Sequence, residues 1–397
     1  MTHLIIKGGL YFDGKNSPQE GQAIIIMDNK VQEVMPVAQL PTETSAQIID
    51  ATGCTVLPGL IDCHVHITSS GEADSSGDRL EPDTLLALRG VHNGHILLES
   101  GFTTLRNMGS RNQIDIQIKR SMELGYVVGP RLITSGMCIC MTGGHGWMGG
   151  REVDGADEAR KGAREQLKAG VEVLKIMATG GVMTPGVEPG SAQLTIEEMR
   201  AAVEEAHKAG RKTATHAQGT TGIKNAILAG LDSIEHGIFL DDEAVQMMLD
   251  HDVALVPTLA APHHIVQGGL ASGIPAYAVE KANRVFASHK ESFKKALKAG
   301  VTIAFGTDCG TPLNKPGQNA LEFQLMVEAG MTPLQALTAA TSTAAQVCDR
   351  PNIGSLTPGK LADAIVVRGN VFSDVCLLQD QANISYVIKD GQIVVSR

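Results

Sequence analysis

The chain has 397 residues, of which 43% are hydrophobic and 19% charged, a composition that supports a large folded core and excludes a disordered protein. Acidic residues outnumber basic ones by 43 to 33, giving a net charge of −10, so nucleic acid is excluded as a partner. The seven cysteines show no C-x-x-C spacing, which favours a reducing, cytoplasmic location over a disulfide framework.

No segment is predicted to enter a membrane. The first residues alternate like a strand and lack the pattern of a secretory signal peptide. The longest stretch without a formal charge, 253–279, is interrupted by several prolines and glycines, which a membrane-spanning helix would not contain at this density. We therefore expect no membrane partner.

The chain divides into three parts by pattern. Residues 1–58 contain short alternating runs bounded by Gly and Asp, which predict β-hairpins. Residues 59–352 alternate strand-like runs with amphipathic helical stretches about eight times, which predicts an α/β fold of the (β/α)8 TIM-barrel type. Short strands return in 353–397, so the two terminal segments are expected to form one small β-domain together.

Eight runs in the middle part are interpreted as barrel strands, and several carry ligand-type side chains near their carboxyl ends. They are LIDCHVHI (60–67), TTLRNMG (103–109), RLITSGM (131–137), VEVLKIMA (171–178), KTATHAQG (212–219), DSIEHG (232–237), ALVPTL (254–259) and TIAFGTD (302–308).

The first run contains an H-x-H pair, His64 and His66. Residues two apart on a strand project to the same face, so both imidazoles can reach one metal ion. An isolated pair of this kind also occurs by chance, so the other ligand-type residues of the chain decide whether it indicates a metal site.

The fourth run places Lys175 in a strand that should be buried on both faces, where a bare ammonium group is costly. Burial lowers the pKa of a lysine, and the neutral amine can react with carbon dioxide to give a carbamate whose two oxygens bridge two cations. A lysine paired with a nearby carboxylate explains the position equally well.

Three further ligand-type residues, His216, His236 and Asp308, end the fifth, sixth and eighth runs. The carboxyl ends of barrel strands are where enzymes of this fold carry their active sites. The convergence of these residues with the H-x-H pair and the buried lysine predicts a metal centre rather than separate structural side chains.

These motifs resemble those of the metal-dependent amidohydrolase superfamily, in particular its imidazolonepropionase-like and Xaa-Pro dipeptidase (prolidase)-like branch. The resemblance extends over nearly the whole chain, from PGLIDCHVH at 58–66 through GGHG at 143–146, LKIMATGG, THAQG, SIEHG and GTD to GSLTPGKLADAIVV. It implies a (β/α)8 barrel (59–352) with a composite β-sandwich domain formed by 1–58 and 353–397.

The resemblance also implies a binuclear centre with two divalent ions, most simply zinc. By analogy His64, His66 and Asp308 hold one ion, His216 and His236 hold the other, and an N6-carboxylated Lys175 bridges them. Such a centre activates water and polarises a carbonyl group. Asp308 is predicted to shuttle the proton, and His145 of the GGHG loop to donate to the oxyanion. The alternative for His145 is a solvated loop histidine.

The predicted function is metal-dependent hydrolysis of an amide bond in a small molecule, either a dipeptide (Xaa-Pro or another Xaa-Xaa) or an N-acyl amino acid. The alternatives are a non-peptide amide, lactam, carbamate or urea-type substrate, or a non-catalytic scaffold on the same fold. Ring-opening relatives carry Glu where this chain has Gly219, which argues against that chemistry. A homo-oligomer is expected.

Two further expectations concern positions near the rim. The stretch 179–193, rich in Gly and Pro, is predicted to act as a lid or a static turn. Nothing in the sequence ranks the residues that hold a substrate carboxylate, and the candidates are Arg106, Arg131, Arg151, His263 and His264.

Overall fold

The computed structural model describes residues 3–41 and 44–397, so residues 1–2 and 42–43 of the predicted terminal segment lie outside the described part. Its strands are β1 (His3–Lys7), β2 (Leu10–Tyr11), β3 (Gln19–Glu20), β4 (Gln22–Met27), β5 (Lys30–Pro36), β6 (Gln47–Asp50), β7 (Cys54–Pro58), β8 (Leu60–Val65), β9 (Phe102–Asn107), β10 (Arg131–Ile133), β11 (Ile139–Met141), β12 (Arg151–Val153), β13 (Val173–Met177), β14 (Lys212–Ala217), β15 (Ser233–His236), β16 (Ala254–Val256), β17 (Ala364–Arg368), β18 (Ile384–Lys389) and β19 (Gln392–Ser396).

The α-helices lie almost entirely between the strands of the middle part. They are α1 (Asp83–Glu99), α2 (Ile114–Glu123), α3 (Ala156–Ala169), α4 (Ile196–Lys208), α5 (Thr220–Ala229), α6 (Asp242–Asp250), α7 (Ala260–Gly268), α8 (Ala276–Ala299), α9 (Leu321–Glu328), α10 (Pro333–Ala339) and α11 (Ser342–Val347). None of the described helices combines the length and the apolarity that crossing a lipid bilayer requires.

Helix boundaries follow local sequence signals. Thr195 caps α4 and exchanges hydrogen bonds with Glu198, which satisfies two N–H groups of the first turn. Helices α3 and α5 end at Gly170 and Gly230, which adopt the left-handed conformation with φ of 99° and 94°. Both helices therefore end where a residue without a side chain can take this conformation.

The two ends of the chain share a sheet. One sheet has the strand order β5-β4-β1-β6, and the other has the order β19-β18-β17-β7-β2-β3. Strand β7 pairs antiparallel with β17, which joins the first segment to the last. Ile6 and Ile24 of the first sheet and Val56 and Val366 of the second belong to one buried cluster, so the two sheets share a core.

The middle part has parallel sheets, as predicted. One has the order β10-β9-β8 and the other the order β12-β11-β13-β14-β15-β16. Seven of the eight predicted runs contain an observed strand. The short parallel pair β11 and β12, in the loop after the third run, was not predicted.

The eighth predicted run, 302–308, is not a regular strand. Its backbone bonds alternately to two neighbours: Ala304 N donates to Leu255 O over 2.9 Å, and Phe305 O accepts from Cys63 N over 2.9 Å. It therefore lies between β16 and β8 and links the two parallel sheets. A positive φ of 58° at Asp308 ends any regular strand geometry there.

Candidate metal centre

The predicted ligands meet in one buried cavity of ≈ 210 Å³ at the carboxyl ends of the parallel strands. Apolar side chains of β13, of helix α7 and of the segments 182–183 and 238 complete its wall. The predicted site residues that line it are His64, His66, His145, Lys175, His216, His236 and Asp308.

His64, His66 and Asp308 each offer a ligand atom within 4.8 Å of the others. The Oδ1 atom of Asp308 is 3.1 Å from His66 Nε2 and 3.4 Å from His64 Nε2. Alternation along β8 brings both imidazoles to one face, and Asp308 meets them because its backbone N–H bonds to His64 O over 2.8 Å. This group has the donor types and spacing of a single metal site.

His216 and His236 lie beside this group, with ring centroids 4.6 Å apart, and the His236 ring is 5.1 Å from that of His64. His236 Nδ1 is 2.7 Å from Thr258 Oγ1, and His216 Nε2 is 3.0 Å from Gly180 O. Each imidazole thus has one nitrogen occupied by a protein partner and one available to a ligand, the usual arrangement of a metal-binding histidine.

Lys175 is 1% exposed, and its Nζ atom has no hydrogen-bond partner among the described residues. Burial lowers the pKa of this lysine to about 8. No direct ion pair between Lys175 and a carboxylate occurs in the described part of the chain, so the paired-lysine alternative is not observed. An orphaned amine in a cavity lined with imidazoles calls for a partner that the chain itself does not supply.

Glu235 fixes the orientation of His64, and sequence reasoning missed it. Its Oε2 atom is 2.8 Å from His64 Nδ1, and its Oε1 atom accepts from Arg106 Nη2 over 2.8 Å. Arg106 is fully buried and also donates from Nε to Cys63 O over 2.6 Å. The chain of contacts from Arg106 through Glu235 leaves His64 Nε2 for the cavity. Arg106 was a candidate for holding a substrate carboxylate, and that candidate is wrong because its buried guanidinium already bonds to Glu235 and Cys63.

Burial and neighbouring charges act in opposite directions on the pKa of Asp308. Burial raises the pKa of this carboxyl group, but the neighbouring His64, His66 and Lys175 outweigh that effect and lower it. The positive φ angles of 58° at Asp308 and 73° at His236 are uncommon for residues with side chains, and such strain concentrates at functional sites.

His145 packs against the second histidine pair, with its ring centroid 4.2 Å from that of His216. Its Nδ1 atom is 2.8 Å from Thr184 Oγ1. Burial lowers the pKa of His145 to about 4, so the imidazole is neutral at physiological pH. A Cβ atom at Gly181 would lie 2.5 Å from the ring, so the absence of a side chain there makes room for it.

The stretch 179–193 lies over the cavity and is held by Lys281 of α8. The buried Lys281 ammonium donates to Thr184 O over 2.8 Å and to Val187 O over 2.5 Å. A Cβ atom at Gly219 would lie 2.1 Å from Gly190 O in this stretch. The loop backbone therefore occupies the space in which the ring-opening relatives are expected to carry a glutamate.

The other candidates for binding a substrate carboxylate do not line the cavity. Arg131 pairs with Asp363 and Asp390, and Arg151 bonds to Glu165. The remaining two, His263 and His264, lie on α7.

The model of the amidohydrolase family matches residues 55–394, most of the chain. The chain belongs to the amidohydrolase family. The resemblance inferred from the strand-end motifs is thereby confirmed, and imidazolonepropionase from Symbiobacterium thermophilum is among its relatives, with 23% identity over 94% of this chain and 90% of that protein.

Two relatives with higher sequence identity have names that state an enzymatic activity. Ochratoxinase from Aspergillus niger is 31% identical over 98% of this chain and 86% of its own length. A crystal structure of a Xaa-Pro dipeptidase with bound methionine in the active site is 33% identical, with a TM-score of 0.91 over 99% of both chains. This amidohydrolase is therefore a hydrolase that acts on carbon–nitrogen bonds.

Proposed function

We propose that this amidohydrolase is a binuclear, metal-dependent enzyme that hydrolyses an amide bond by activating water. The carrying observation is the buried cavity in which the ligand atoms of His64, His66 and Asp308 lie within 4.8 Å of one another, beside two further histidines and an unpartnered lysine. A cavity of this kind serves no evident purpose in a non-catalytic scaffold.

The donor set fits two divalent ions, with zinc favoured by the number of imidazoles. His64, His66 and Asp308 would hold one ion, and His216 and His236 the other. Carboxylation of Lys175 would supply the bridge: the neutral amine bonds to the carbon of carbon dioxide and one proton leaves. This reaction gives the orphaned Nζ atom of Lys175 a partner.

Bound divalent ions would lower the pKa of a water molecule and polarise the carbonyl group of the substrate. Asp308 would accept the proton of the water at the carboxylate oxygen that does not hold the ion and would deliver it to the leaving nitrogen. His145 is held at Nδ1 by Thr184, so that Nε2 would donate to the oxyanion. Glu235 would keep His64 oriented throughout.

The proposed substrates are dipeptides, Xaa-Pro or other Xaa-Xaa, and N-acyl amino acids. Similarity to a Xaa-Pro dipeptidase and to a prolidase crystallised with a phosphonate analogue of proline supports this class; the latter is 30% identical, with a TM-score of 0.93. A non-peptide amide, lactam, carbamate or urea-type compound is the alternative, favoured by the apolar wall of the cavity.

The architecture proposed for this activity is a closed (β/α)8 barrel in residues 59–352 and a composite β-sandwich in 1–58 and 353–397. Closure is supported at both gaps between the parallel sheets: by the segment 302–308, and by Glu172 N, which donates to Thr134 O over 2.8 Å between β10 and β13. A cytoplasmic location and a homo-oligomeric state remain predictions, the former supported by seven free cysteines.

Hydrolysis of an amide library by zinc-loaded protein tests the proposal. The library contains Xaa-Pro and other dipeptides together with N-acyl and N-formyl amino acids, and the released amino acids are quantified. Cleavage whose rate depends on the identity of the released amino acid would establish the proposed substrate class. No cleavage by protein that holds two ions per chain would reject that class and favour a non-peptide amide or carbamate.

A further inference from the structure

A second cavity, of ≈ 260 Å³, opens directly from the metal centre and has an unusual lining. We call it the methionine pocket. Its apolar wall consists of Leu86, Met108, Cys138, Met148, Met177 and Met183.

The methionine pocket is continuous with the metal centre. His66, His145, Met177 and Met183 line both cavities. A substrate whose scissile amide lies between His66 and His145 can therefore extend one substituent into this pocket without leaving the site.

Charges at the rim of the methionine pocket are already neutralised. Asp78 accepts from Arg89 Nη1 over 3.0 Å and from Ser70 N over 2.8 Å. Arg111 donates from Nε to Asp83 over 3.1 Å. Histidines apart, no other ionisable side chain except Cys138 is among the described residues that line the pocket. A charged substituent would lose its hydration here without gaining an ion-pair partner.

We propose that the methionine pocket binds an uncharged, apolar substituent next to the scissile amide, so that the preferred substrates are N-acylated compounds with a large alkyl or aromatic group rather than dipeptides with a free ammonium group at that position. This inference rests on the proposed function and narrows its substrate class. Methionine side chains are flexible and adapt to differently shaped ligands, so alkyl and aromatic groups should both be accepted.

Two substrate series test the pocket, with kcat/KM measured on zinc-loaded protein. One varies the acyl group of an N-acyl amino acid through acetyl, butanoyl, hexanoyl, benzoyl and succinyl; the other varies the amine side from alanine to phenylalanine and glutamate. In the acyl series kcat/KM should rise about two- to fourfold per added methylene group, and the succinyl member should be at least about tenfold poorer than its apolar analogue. The same trend in the amine series alone would place the pocket on the other side of the amide and reject the preference for N-acylated compounds.

Variants of the lining residues test whether the preference for apolar substituents arises in the methionine pocket. Met148→Gln and Met183→Gln should each reduce, by about tenfold, the ratio of kcat/KM for the largest apolar member to that for the smallest, because the replacement adds a polar amide to the pocket wall. Both variants should fold, since the two side chains are only partly buried and glutamine keeps the length of methionine. Met35→Gln, a partly buried position on β5, is the matched control and should leave the ratio unchanged.

An unchanged ratio in both pocket variants, or a preference for the charged members, would overturn the proposal. If no member is hydrolysed, the proposed function fails separately, and the same compounds are then titrated calorimetrically into the zinc-loaded protein. Tighter binding of the apolar members that weakens in Met183→Gln would support the pocket, whereas equal affinities would reject it.

Discussion

Asp308 combines three properties at a single residue. It closes the group formed by His64 and His66, its pKa is lowered although it is buried, and its backbone adopts a positive φ of 58°. An aspartate in this environment can hold a metal ion with one oxygen and move a proton with the other.

Asp308→Asn should therefore keep the fold but lower kcat by about 100-fold or more, since the amide cannot accept the proton of the attacking water. The measurement is turnover at saturating zinc, with thermal unfolding to establish that the variant is folded. Asp242→Asn, an exposed position at the start of α6, is the control. Near-normal turnover of the Asp308 variant would remove this residue from the mechanism.

The residues of the candidate metal centre could be proposed from the sequence because each lies in a local strand pattern, most of them near its carboxyl end. Glu235 and Arg106 could not, since their roles depend on contacts between residues distant in sequence. Glu235 meets His64, 171 residues away along the chain, and Arg106 meets Glu235. The sequence placed Glu235 next to His236 but gave no sign of which residue it would meet.

At the scale of elements, helix α8 holds the loop over the cavity through the buried Lys281, together with hydrogen bonds from Tyr277 and Arg284. Lys281 binds the carbonyl groups of Thr184 and Val187, and Thr184 in turn bonds to His145. The 179–193 stretch is thus held by a helix that follows it in the chain by about a hundred residues, a connection that its Gly- and Pro-rich sequence does not reveal.

Lys281→Met should lower kcat/KM by about tenfold or more while metal content stays unchanged, because Thr184 and with it His145 lose their fixed position. Lys281→Arg should restore part of the activity, a rescue that loss of general stability would not produce. Lys294→Met, an exposed position on the same helix, serves as the control. Loss of zinc in Lys281→Met, or full activity, would contradict the positioning role.

The start of helix α7 is capped from a distance by Glu322 of α9. Its two oxygens accept from Leu259 N over 2.9 Å and from Ala260 N over 2.7 Å. Burial raises the pKa of Glu322 to about 8. The folded protein therefore binds a proton that the unfolded chain releases near its usual pKa of 4.5.

The contribution of Glu322 to stability should be greatest below pH 4.5 and should be lost as the pH rises through 8. The free energy of unfolding, measured by urea denaturation between pH 5 and 9, should fall less steeply with pH in Glu322→Gln than in the wild type. Glu328→Gln, exposed on the same helix, should keep the wild-type slope. Equal slopes in the wild type and Glu322→Gln would contradict a raised pKa.

At the scale of the whole molecule, the change in pattern at residue 59 and its reversal near 353 predicted a shared terminal sheet, and the pairing of β7 with β17 agrees with it. The parallel arrangement of the middle part was also predictable, because strands that alternate with helices need crossover connections. The irregular eighth segment was not, since its hydrogen bonds depend on two strands that are distant in sequence.

Zinc content of the wild type and of Lys175→Ala tests the central claim most directly. Each protein is expressed with zinc, freed of loosely bound metal, and analysed for zinc per folded chain by mass spectrometry. The wild type should hold about two ions, and the variant about one or fewer with hydrolysis lost, because the bridging group is absent. Two ions in Lys175→Ala would contradict the bridge, and none in the wild type would contradict the metal centre itself.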